Sequence, residues 1–158
     1  MTAGALPAGE EIASLLNRLE AAPEKFAYAL ERLEAADSFF VSGTDSWSAA
    51  EVFAHVRASN DIMEHRIYAV LARDNPTLPA YDDRQWAQVA HYTSLPLVDS
   101  VSTMRARRNE LVRMLRAAPP EAWLREGLHE TAGAITLLQI VRKIIDHDEE
   151  HISQIAAM

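Results

Sequence analysis

No cysteine occurs among the 158 residues. Disulfides, thiolate metal sites and a cysteine nucleophile are thereby excluded. Glycine is scarce as well, five in all, too few for a fold built on many tight turns. No apolar run approaches the ~20 residues needed to span a bilayer, and no basic N-terminal segment leads into one. A soluble, cytoplasmic protein with no membrane partner is expected. Basic residues are outnumbered, 15 Lys plus Arg against 23 Asp plus Glu, for a net charge of −8. An acidic surface repels phosphate backbones, so nucleic acid is not expected as a partner. The densest basic run (Arg105, Arg107, Arg108, Arg113 and Arg116) shares its segment with an apolar stripe.

Hydrophobic residues make up 49% of the chain, and a domain of this length buries about 70% of its unfolded surface. Ala, Leu, Glu and Arg dominate, all strong helix formers. No repeat or linker divides the sequence, so residues 1–158 form one domain. Four long helical segments are predicted. The first runs from Glu10 to Ala36 and is interrupted by Pro23, whose ring does not sit in a helix interior without a kink. The stretch at residues 38–46 breaks the pattern. The second helix starts at a capping box, Ser48 to Glu51, with Trp47 and Val52 as its hydrophobic staple, and runs to Arg73 before Asn75-Pro76.

Asp74 to Pro96 reads as a long crossover with a short helix from Asp83 to Ala90, where Trp86 and Tyr92 read as core packing rather than pocket lining. The third helix spans Leu97–Ala117, and PPEAW forms a brief further turn. A loop through Gly127 and Gly133 then leads to a second capping box, Thr136 to Gln139, which opens the last helix. The fold class is all-α: a four-helix bundle with a long crossover connection, in which sites are built from facing helices.

Six histidines occur. His147 and His151 are four residues apart, so their side chains share one helix face a turn apart. Both turn towards the bundle. His55 leans inward from the second helix, at the edge of its apolar stripe, whereas His65 points outward with Arg57, Asp61 and Tyr68. Two imidazoles on one helix and a third on another can make a facial metal site with open positions; core packing is the alternative. Paired Glu-x-x-His motifs, which a di-iron centre needs, are lacking.

The stretches Trp47-Ser48-x-x-Glu51-x-x-x-His55 and His147-Asp148-x-x-His151-x-x-Gln154-Ile155, with Gly133, Thr136 and Leu137 ahead of the last helix, resemble the DinB/YfiT-like family of metal-dependent enzymes. The likeness covers nearly the whole chain in helix order. It implies a four-helix bundle, often a homodimer, with one divalent metal ion on His55, His147 and His151. Relatives of known activity include mycothiol-dependent maleylpyruvate isomerase and bacillithiol S-transferases. Transfer of a small-molecule thiol to an electrophile is therefore what the resemblance favours. Three neutral nitrogen ligands equally permit hydrolysis, and a non-enzymatic dimeric stress-response or metal-binding module is the third reading. Zinc or nickel leads the metals, with iron also compatible.

Three further residues are site candidates. Asp148 is placed to orient a ligand imidazole or to pair with an arginine. Arg108, in the middle of the third helix's apolar stripe, needs a partner such as Asp148, Glu51 or a substrate anion. His129, in the loop before the last helix, is placed to reach the pocket mouth.

Overall fold

A computed structural model of the protein describes residues 6–35, 39 and 47–158. Four long helices, α1 (Gly9–Ala35), α2 (Ala49–Ala72), α4 (Leu97–Ala117) and α5 (Leu137–Ala156), form the bundle, and α3 (Asp83–Val89) lies in the crossover. The all-α expectation holds. The break expected at residues 38–46 lies outside the described residues except for Phe39, which is buried. Both capping boxes form: Ser48 accepts from Glu51 N and Thr136 from Gln139 N, each with the reciprocal side-chain bond. Each cap satisfies amide donors that helix geometry leaves without partners.

Two features depart from the sequence reading. A small sheet joins the loops at one end: β1 (Thr77–Leu78) runs parallel to β2 (Glu126–His129), which pairs antiparallel with β3 (Gly133–Thr136). These strands are too short to show alternation, and they arise where the backbone groups of neighbouring loops satisfy one another. Gly127 is where the hairpin meets the bundle. A Cβ there would stand 2.7 Å from Leu78 Cδ1 and 3.1 Å from Val70 Cγ2. The second departure is the outer face of α2. Arg57 and Asp61, read as outward, are covered by the crossover: Ala87 of α3 packs on Ala54 and Ala58. Asp61 accepts from Trp86 Nε1 at 3.2 Å, from Tyr92 Oη and from Arg107. A carboxylate on α2 thus pins the crossover and α4 to it.

Pro23 does not interrupt α1, which continues through it. Proline removes the amide that would bond the carbonyl four residues back, here that of Leu19. Arg108 supplies the missing donor: its Nη1 reaches Leu19 O at 3.2 Å. The same guanidinium pairs with Asp148 Oδ2 at 2.8 Å, while Asn60 Nδ2 donates to Asp148 Oδ1 at 3.3 Å. Arg108 and Asp148 are each 1% exposed. This polar layer spans all four helices and separates two apolar clusters. One contains Leu19, Met63, Leu111 and Ile144. The other contains Phe26, Val56, Met104 and Ile155.

Removing one member of a buried ion pair strands the other charge in a low-dielectric interior. Arg108→Ala is expected to lower unfolding free energy by about 3–5 kcal/mol. An Arg108→Met/Asp148→Leu double variant should recover part of the loss but not all, because Leu19 O stays without a donor. Urea denaturation of both variants checks this; equal losses would show that the charges are not the reason.

Candidate metal centre

Antiparallel α2 and α5 bring His55 opposite His147 and His151. One ring nitrogen from each of the three lies within 4.8 Å of the others. His55 Nε2 and His147 Nε2 are 3.0 Å apart. Three nitrogens bound at about 2.0–2.1 Å to one zinc-sized ion stand about 3.3 Å from each other, a spacing this trio brackets. All three rings are half-buried. The Trp47 ring stands edge-on to His55, with centroids 5.3 Å apart, and shields one side.

The outer nitrogens select the tautomers. His151 Nδ1 is 2.7 Å from Gln154 Oε1. An amide oxygen only accepts, so Nδ1 carries the proton and Nε2 keeps its lone pair. His55 Nδ1 is buried without a hydrogen bond of good geometry, and the carboxylate of Asp83 stands 3.5 Å from it. Asp83 belongs to the crossover helix, so the crossover helps orient a ligand residue of α2. Burial favours the neutral form of two of the rings: it pushes His147 from the ordinary 6.5 down to about 3, with the nearby His151 and His55 adding to the shift. Burial lowers His55 as well, against the opposing charge of Asp83. Neutral imidazoles with converging lone pairs are what a divalent ion requires.

The other candidates fall elsewhere. Asp148, about 100° round the helix from His147, turns into the polar layer, where it meets Arg108. Among the three partners expected for Arg108, the structure selects Asp148. Both side chains lie beyond the reach of a substrate, and their effect on the trio runs through the rotational setting of α5. His129 requires a correction. It ends β2, where its Nδ1 accepts from Thr131 N and Ala132 N at 3.3 and 3.2 Å and closes the hairpin turn. That hairpin packs beside Val70. Fifteen residues of α2 separate His55 from Val70, about 22 Å of helix. His129 therefore sits at the other end of the bundle.

Sequence reasoning missed Asp83 and Gln154 as ligand-orienting groups. Gln154 was detectable, since it stands at i+3 from His151 on the same helix. Asp83 was not, because only tertiary packing brings it near His55.

The sequence profile of the DinB superfamily matches residues 18–155. The chain belongs to the DinB superfamily. Among the curated relatives of this superfamily member are two proteins of Oceanobacillus iheyensis. "Putative metal-dependent hydrolase OB0413" is 26% identical over 110 residues, covering 70% of this chain and 63% of that protein. "Putative metal-dependent hydrolase OB0782" is 24% identical over 112 residues, covering 71% and 64%. The match thus spans somewhat less than two thirds of the length of each. Among solved structures, YfiT from Bacillus subtilis, described as "a probable metal-dependent hydrolase with an unusual four-helix bundle topology", superposes with a TM-score of 0.84 at 19% identity. The superposition covers 96% of this chain and 87% of that one. It establishes the shared bundle.

The depressed His147 value carries a stability consequence. Between pH 6.5 and about 3 the unfolded chain takes up a proton at this residue that the folded chain refuses. Its contribution is present above pH 6.5 and lost as the pH falls towards 3. In metal-free protein, His147→Gln should flatten the dependence of unfolding free energy on pH between 6.5 and 4.5. Denaturant titrations across that range read the slope; parallel slopes for variant and wild type would refute the assignment.

Proposed function

We propose that this protein is a divalent-metal-dependent enzyme that uses His55, His147 and His151 to hold a single ion, and that its reaction is hydrolysis. The carrying observation is the convergence of three imidazole ring nitrogens from two helices within 4.8 Å. They stand beside a cleft of about 380 Å³ that His55 itself lines, with Glu51, Arg84 and Gln88 along its walls. A structural ion would be enclosed, whereas here one of the three ligands, His55, borders open space, which supports a reactive role. The names of the Oceanobacillus relatives support hydrolysis. Thiol transfer, favoured by the resemblance read from the sequence, is the second reading. It draws on the absence of cysteine, which obliges any thiolate to come from a cosubstrate.

A divalent ion on three uncharged ligands supplies an acidified bound water or thiol at neutral pH. The chain's own residues do the rest. Gln154 and Asp83 hold the imidazoles of His151 and His55 with Nε2 facing inward. Trp47 limits water access on one side. Asp61, through Trp86 and Tyr92, holds the crossover that forms the outer wall of the cleft.

Elemental analysis of untagged protein should find about one ion per chain, and His55→Ala, His147→Ala and His151→Ala should each lose it. Metal retained in all three variants would remove the centre from consideration. Metal-loaded protein is expected to cleave a panel of esters or amides without consuming added thiol. Thiol consumption with an electrophile, and no hydrolysis, would decide for transfer.

Gln154→Ala should weaken metal affinity about 10–100-fold without loss of helix content. Competition with a chromophoric chelator measures this, and unchanged affinity would show that the amide does not orient His151.

A further inference from the structure

Among the described residues, Arg84 is the one strongly basic side chain on the wall of the cleft beside His55. Its position is set by its surroundings. Arg84, Ala87 and Gln88 occupy one face of α3, three and four residues apart. The buried Ala87 docks that face on Ala54 and Ala58 of α2. Trp86 and Tyr92, bonded to Asp61, prevent α3 from swinging away. The Arg84 guanidinium lies 4.6 Å over the Trp47 ring, and the same ring stands edge-on to His55. Stacking on an indole face holds a guanidinium while leaving its N–H edges free. Among the described residues those edges meet no carboxylate and no other acceptor. The exposed cation is thus held in place beside the histidine trio with all its donors unused.

We infer that Arg84, stacked on Trp47, is the binding site for a carboxylate carried by the substrate, placing the substrate's other end at the histidine trio. This rests on the metal-centre reading of the trio. A guanidinium fork matches the two oxygens of a carboxylate. The other charged groups at the cleft choose among anions. Glu51 lines it and bonds Ser48 N and Oγ, and Asp83 faces His55. Two fixed negative charges beside one arginine disfavour a doubly charged phosphate more than a singly charged carboxylate. Arg84 is therefore a specificity residue for acidic acyl compounds, those with a carboxylate at the end remote from the bond being broken.

Cobalt-loaded full-length protein tests this without knowledge of the substrate. Its visible bands are followed during titration with straight-chain dicarboxylates from succinate to adipate and with monocarboxylates of the same lengths. One dicarboxylate length should bind at least about tenfold more tightly than its monocarboxylate counterpart. Arg84→Gln should reduce that ratio to about twofold or less while leaving monocarboxylate binding and the cobalt bands unchanged, and Arg84→Lys should retain part of it. Equal affinities in wild-type protein, or a ratio that survives Arg84→Gln, would overturn the carboxylate site alone. Absence of cobalt bands before any ligand is added would overturn the metal centre and this inference together.

Discussion

The ion pair between Arg108 and Asp148 is the constraint from which the rest of the architecture follows. A fully buried guanidinium cannot stand without acceptors, and this one has two: the carboxylate of Asp148 and the Leu19 carbonyl that Pro23 leaves without an amide donor. The defect introduced by proline in α1 and the charge introduced by arginine in α4 thus cancel each other. The pair also fixes the rotation of α5. With Asp148 held inward against α4 and Asn60, its neighbour His147 and its i+3 neighbour His151 turn towards α2, where His55 waits. The buried polar layer costs desolvation, and what it contributes is register rather than net stability.

A second polar node, Asp61, does for the crossover what Asp148 does for the bundle. It gathers donors from Trp86, Tyr92 and Arg107 and so holds α3 against α2. That placement delivers Asp83 to the rear of His55 and Arg84 to the face of Trp47. The cleft is therefore assembled from two layers: ligands on rigid bundle helices, and substrate-facing groups on a strap whose attachment depends on one carboxylate. Such a division lets the ligand geometry stay constant while the strap's residues set what binds.

Much of this was legible in the residue pattern. The capping boxes at Ser48 and Thr136, the boundaries of α4 and the three histidines depend on local spacing, which a linear reading captures. The arginine in the stripe of α4 announced that it needed a partner, and Asp148 was among those named. Illegible were the short strands, the continuity of α1 through Pro23, the covered outer face of α2, and the position of His129. Each of these depends on a group distant in sequence: Pro76 and Leu78 for the hairpin, Arg108 for Pro23, Asp61 for the crossover. His129 was misplaced because a loop before a helix gives no sign of which end of the bundle it occupies.

Periodicity, capping and histidine spacing by themselves determined that the chain is a helical bundle with imidazoles aimed inward from two helices, because those properties are set within one or two turns. Convergence of the imidazoles on one point, the tautomers they adopt, and the cationic wall beside them were decided only in three dimensions. Ring nitrogens are brought to within ångströms by helix rotation and tilt, and these are set by the carboxylates of Asp148 and Asp61 and their long-range partners.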